Sequence, residues 1–241
     1  MKIYVVGDSH VYGDELISPE KTSWPILLGQ KLGAEVINDG VPCGSNQRNV
    51  FNTIKYCANT DIDLFIIAWT STTKFTFYKS DDNSEGNFNP KLVHYDFGDK
   101  DYYKTWGRTL YQIWFNRMYA FRIWMQQILL LQSYLKANNK NYLMVNCHDN
   151  ALHKWLAPKD QFINKVELLI NFDLMNDDQI FEVHDEIQYY NSQIDTDNFY
   201  RWNNFAIRDI VSQFPSGPRD HFLEEGHQYI ADLIYKHLCL K

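Results

Sequence analysis

The turn Gly7-Asp8-Ser9-His10 places a carboxylate, a hydroxyl and an imidazole on consecutive residues directly after a short apolar run. A serine at the carboxyl end of a leading parallel strand lies where open α/β sheets place their ligands, so Ser9 is positioned as a nucleophile. Gly, Asp and Ser are also ordinary turn residues, and the tripeptide alone reads equally as a structural turn. A serine hydroxyl needs a base for its proton, which the fold must bring from elsewhere. Among eight histidines, His221 stands in Asp220-His221-Phe222-Leu223-Glu224-Glu225-Gly226-His227, where a loop enters a C-terminal helix. A ring at that point can be held firmly while it faces a cleft. Asp8 reads as the residue that accepts backbone N–H bonds and holds the turn, and His10 either contacts substrate or caps the turn. His227 reads as a helix-surface or packing residue. His148, Asp149 and His153 form an H-D-x-x-x-H pattern that could bind a metal at a strand end. Cys43, Cys57, Cys147 and Cys239 show neither CxxC nor Cys/His ligand spacing, and the site is expected to hold no metal,. Trp69, after the third strand, either stacks on a sugar or acyl group or packs in the core.

These residues need a scaffold, and the chain alternates strand and helix patterns. Lys2–Val6, Ala34–Asn38 and Asp63–Trp69 read as buried strands, with helices over Trp24–Leu32, ended by Gly33, and Gln47–Ala58,. Asn141–Cys147 predicts a fourth strand and Gln179–Val183 a fifth. Alternation of this kind predicts a doubly wound α/β fold, with about five parallel strands and helices on both faces. Leu110, Trp114, Met118, Phe121, Met125, Ile128 and Leu135 recur at helical spacing and predict an amphipathic helix from about Gly107 to Ala137, its stripe facing the core,. Glu224–Leu238 predicts a terminal helix with acidic residues in its first turn,. Aromatic-rich segments at about 73–106 and 148–178 read as insertions in a single domain.

Gly7-Asp8-Ser9, the loop Asn38–Asn46 with Gly44, and the His221 to Gly226 spacing followed by His227 and Ala231 together resemble the SGNH (GDSL-type) hydrolase family. The resemblance implies a flavodoxin-like three-layer α/β/α fold and action on esters of lipids, acylated sugars and similar molecules. It makes Ser9 the nucleophile, His221 the general base, and the Ser9 and Gly44 N–H groups donors to an oxyanion. Two blocks depart from the family. Where G-x-N-D is usual, the chain reads Ala68-Trp69-Thr70-Ser71, so Thr70 takes the place of an oxyanion-binding Asn, with Asn46 a substitute,. Pro218 stands where the family's acid precedes the histidine; Asp220, a backbone carbonyl or a Ser-His dyad are the alternatives.

Composition narrows the function classes. The chain has 241 residues, 45% hydrophobic and 16% aromatic, enough for a sizeable core,. With 23 Lys+Arg against 30 Asp+Glu and no basic run, sequence-independent nucleic-acid binding is disfavoured,. No segment has the length of a signal-peptide core or of the ~20 apolar residues of a membrane span, so the expected location is the cytoplasm, or a virion for a viral chain. The aromatic excess leaves room for a homo-oligomer contact or an assembly partner. The leading expectation is cofactor-free hydrolysis of a small-molecule or glycan ester. The competing expectation is a catalytically impaired binding or structural module of a large assembly such as a virus particle. Acyl transfer by the same residues is a third.

Overall fold

The computed structural model of the chain describes residues 1–58, 61–78, 85–88, 117–166, 177–202 and 205–240. β1 (Lys2–Gly7) runs into a single helical turn, α1 (Ser9–Tyr12). Then α2 (Pro19–Thr22), α3 (Trp24–Leu32), β2 (Glu35–Gly40), α4 (Asn46–Cys57) and β3 (Leu64–Trp69) follow. An antiparallel pair, β4 (Phe75–Tyr78) and β5 (Glu85–Phe88), leaves the main sheet. The chain resumes with α5 (Arg117–Ala137), β6 (Tyr142–Asn146), α6 (Leu152–Trp155), α7 (Lys159–Val166) and α8 (Asp177–Ser192). It ends with β7 (Phe199–Tyr200), α9 (Ile207–Val211) and α10 (Glu224–Cys239).

The main sheet has the order β2-β1-β3-β6-β7 with every pairing parallel. Strand side chains alternate between faces, and the alternation separates two cores. Tyr4, Val6, Phe65, Ile67 and Trp69 pack under α5 and α8 with Phe121, Trp124, Ile128, Leu131 and Ile187. Ile3, Val5, Ile66 and Ala68 pack on the other face with Trp24, Leu28, Ile230, Ala231 and Ile234 from α3 and α10. The architecture is therefore three-layered α/β/α. In this strand order the winding reverses between β1 and β3, and the carboxyl ends of those two strands bound the crevice where ligands bind in open sheets.

The expected long helix is described from Arg117 and its apolar stripe is core. The reading of a helix start at Gly107, with Leu110 and Trp114, lies outside the described residues, as do Asp81–Ser84, Tyr95 and Phe97 of the first insertion. The expected strand Gln179–Val183 is instead part of α8, and β7 supplies the fifth strand. The helix prevails because Val183 and Ile187, one turn apart, bury together against α5, where Gln126 Nε2 donates to Tyr190 Oη at 2.8 Å,. No helix among the described residues is long and apolar enough to cross a membrane.

Candidate functional site

β1 delivers Asp8 and Ser9 to the crevice. Asp8 caps α1, its Oδ1 accepting the His10 N–H at 3.1 Å, and Gly13 ends the turn at φ 89°,. Ser9 thus becomes the first residue of a rigid turn. It is 7% exposed, and no hydrogen bond among the described residues engages its hydroxyl. The other Asp8 oxygen, Oδ2, gathers three donors: Thr70 Oγ1 at 2.7 Å, His148 Nε2 at 2.7 Å and Lys74 Nζ. Burial alone would push the Asp8 carboxyl up, but the Lys74 charge and His148 outweigh it and hold the group well below the usual carboxylate range,. Burial pushes His148 down despite the facing carboxylate, so the neutral ring donates its Nε2–H to Asp8. His10 is pushed well down by burial, which the Asp8 charge opposes without reversing. Its ring stacks on Phe222 at 4.3 Å and lies 5.1 Å from both the His148 and the His221 rings, centroid to centroid.

His221 comes from a loop closed by the Ser216–Phe222 bridge, with Gly217 N–H donating to the His221 carbonyl at 2.9 Å. The loop is hooked onto Glu15. The Glu15 carboxylate accepts the Arg219 N–H at 3.0 and 3.1 Å, the His221 N–H at 3.2 Å and the His221 ring Nδ1–H at 2.9 Å. Burial would raise the Glu15 pKa, but these donors win and lower it. A Cβ at position 217 would lie 2.6 Å from Glu15 Cδ, so a larger residue there would have to displace the carboxylate that holds the loop. Glu15 itself sits at φ 71°, a backbone cost of about 1–2 kcal/mol for a residue with a Cβ,. With Nδ1–H committed to Glu15, the ring presents Nε2 as a base. That atom lies 3.9 Å from Asp14 Oδ2, and no hydrogen bond among the described residues joins it to Ser9.

The remaining expected residues fall out unevenly. Asp220, at φ 64°, turns its exposed side chain to Arg208, while Glu15, 206 residues away in sequence, occupies the imidazole. Gly44 approaches β1 so closely that a Cβ would lie 2.6 Å from the Gly7 carbonyl oxygen, and its N–H donates to Val41 O at 3.0 Å. The fully buried Thr70 spends its hydroxyl on Asp8, and the Asn46 amide pairs with the Thr70 backbone in both directions, at 2.8 and 3.0 Å. Trp69 is fully buried among core aromatics and presents no face to a ligand. His153 is exposed on α6 while His148 points to Asp8, so the pair does not converge. His227 is buried and its Nδ1 accepts the Trp24 N–H at 3.0 Å, a packing role. Glu15 and Lys74 were not legible as site residues. Glu15 carried one signal, an acidic pair directly after the glycine that ends the Ser9 turn.

The parallel order and the two helical layers define an α/β/α protein, with Asp8, His10 and His148 packed together after β1 and the Glu15-clasped His221 ring against His10. Residues 15–157 match the profile described as "Family of unknown function (DUF6071)", and the chain belongs to that family. No curated protein matches it. Among solved structures it is similar to the psychrotrophic esterase EstA from Pseudoalteromonas sp., at 12% identity and TM-score 0.48 over 98% of this chain and 96% of that one. It is also similar to a carbohydrate acetylesterase family member from Sinorhizobium meliloti, at 12% and 0.47 over 100% and 98%. A member of the lipolytic protein G-D-S-L family from Veillonella parvula DSM 2008 matches at 13% and 0.45 over 98% and 97%.

Proposed function

We propose that the protein hydrolyses a carboxylic ester, an O-acyl group on a carbohydrate or a small or lipid-like ester, with Ser9 as nucleophile and His221 as general base. The observation that carries this reading is the Glu15 clasp, which fixes the His221 ring with its proton on Nδ1, while the Ser9 hydroxyl has no hydrogen bond among the described residues. A carboxylate on Nδ1 selects the tautomer that leaves Nε2 free to accept a proton and stabilises the imidazolium that follows. Ser9 Oγ attacks the ester carbonyl carbon as Nε2 takes the hydroxyl proton; the C–O bond to the alcohol breaks and His221 returns the proton to the departing oxygen. Water then repeats the sequence on the acyl-serine and releases the acid. In this reading the Ser9 N–H, first in its helical turn, donates to the developing oxyanion. These steps need no metal or organic cofactor.

One observation favours a second reading, a binding module that no longer turns over. The Gly44 N–H, the Thr70 hydroxyl and the Asn46 amide are all engaged within the protein. Losing one oxyanion donor costs roughly 100- to 1000-fold in turnover, so a site with a single donor is slow unless substrate rearranges the Val41–Gly44 turn. Steady-state hydrolysis of p-nitrophenyl acetate and acetylated sugars separates the readings. The hydrolase reading expects turnover that falls to background in Ser9→Ala and His221→Ala, and by about 100- to 10,000-fold in Glu15→Gln, which keeps the shape and removes the charge. Turnover that survives Ser9→Ala, or none in the folded wild type, overturns it.

A further inference from the structure

A small cavity of about 90 Å³ opens beside the carboxyl ends of β3 and β6, lined by residues that include Ser71, Thr72, Thr73, Arg117, Asp149 and Asn150, with Phe121 and Trp155 among its walls. Its position follows from the Asp8 cluster. Thr70, Lys74 and His148 all reach Asp8 Oδ2, and the cavity residues are their immediate chain neighbours: Ser71 after Thr70, Thr73 before Lys74, Asp149 after His148. The loops that anchor the nucleophile turn therefore build the cavity as their next layer.

The walls are preorganised. Asn150 Oδ1 accepts the Thr72 N–H at 3.1 Å and its Nδ2 donates to the Thr70 carbonyl at 3.2 Å, tying the two loops together. Ser71 Oγ and Thr73 Oγ1 are hydrogen-bonded at 2.8 Å, and Asp149 Oδ1 accepts the Ala151 N–H at 2.7 Å with Ala151 held at φ 56°. No hydrogen bond among the described residues uses the Thr72 hydroxyl, which is half-buried. The lining thus combines hydroxyls and an amide with two aromatic rings, and carries both a cation, Arg117, and an anion, Asp149. An anionic ligand would meet the Asp149 carboxylate and a cation the Arg117 guanidinium. A neutral polyol meets donors and acceptors on one side and aromatic carbon on the other. The volume holds a group of a few heavy atoms, less than a whole hexose ring, since an apolar cavity of about 150 Å³ takes one benzene.

We infer that this cavity is a subsite for a neutral sugar, receiving one hydroxyl-bearing edge of a glycosyl group whose O-acyl carbonyl is presented to Ser9. The inference rests on the hydrolase reading for its catalytic consequence, but the binding it describes does not. Two measurements keep them apart. Saturation-transfer NMR with methyl hexosides and the intact protein reads binding alone: a hexoside signal that weakens in Thr72→Val is expected, and no signal with any hexoside at millimolar concentration overturns the subsite. The ratio of kcat/KM for an O-acetylated methyl hexoside to that for p-nitrophenyl acetate reads the link to chemistry. Loss of one neutral hydrogen bond predicts a fall in that ratio of about 3- to 10-fold in Thr72→Val, and in Ser71→Ala as an independent second variant. An unchanged ratio in both variants overturns the proposal even where turnover is robust. Hexoside binding in a protein with no Ser9-dependent turnover supports the subsite and overturns the hydrolase reading.

Discussion

Asp8 is the most heavily invested side chain in the site: one nearly dry carboxylate holds Thr70, Lys74 and His148 on one oxygen and the His10 N–H on the other. The Lys74–Asp8 pair has side-chain exposures of 5% and 1%, so removing the cation strands a charge that water cannot reach. Lys74→Met is therefore expected to destabilise the fold by about 3–5 kcal/mol, read from urea denaturation. His148 would respond in the same variant. Its pKa is lowered by burial and also by the neighbouring Lys74 charge, so Lys74→Met should raise it, as followed by the ring-proton shifts in NMR. Residue types around Ser9 were readable from sequence because they are contiguous. Glu15 was not, since its partner lies 206 residues away and an adjacent acid, Asp220, offered the nearer candidate. Neighbouring side chains diverge, and the positive φ at Asp220 sends its carboxylate to Arg208 instead.

Elements place these residues through a few close approaches. The loop after β2 passes so near β1 that a Cβ at position 44 would lie 2.6 Å from the Gly7 carbonyl oxygen. Backbone cannot yield as a flexible side chain does, so Gly44→Ala is expected to cost about 1–3 kcal/mol, read by thermal unfolding, and to displace the Ser9 turn, read by loss of the proposed Ser9 reactivity. The β-α-β order, the Gly33 helix end at φ 60° and the terminal helix were legible because apolar spacing and turn chemistry are local. The segment Gln179–Val183 misled because five residues with three apolar ones among them have no length to separate strand from helix,. Its identity is decided by contacts with α5, which no local pattern carries. β7 was invisible for the converse reason: two residues, Phe199 and Tyr200, are strand only because β6 is beside them.

At the scale of the whole molecule, several histidines are held neutral by burial, and this links stability to pH. The His227 pKa is pushed from 6.5 down to about 4 by burial, and those of His10 and His148 are also lowered. Between those two values the unfolded chain takes up a proton that the folded ring refuses. The stabilisation is therefore complete above the ordinary histidine pKa and is lost as pH falls through that window, on the order of 3 kcal/mol for a shift of this size. Urea midpoints should drop between pH 7.5 and pH 5, and less steeply in His227→Gln, whose carbonyl can still accept the Trp24 N–H. The proposed ester hydrolysis depends on one event above all, activation of Ser9 by a Glu15-held imidazole. The most direct measurement is covalent labelling of the intact protein with a fluorophosphonate, located by peptide mass spectrometry in the wild type, His221→Ala and Glu15→Gln. The predicted result is an adduct on Ser9 that disappears without His221 and forms far more slowly without the Glu15 charge. A folded wild type with no adduct on Ser9, or one that forms equally fast in all three proteins, would contradict it.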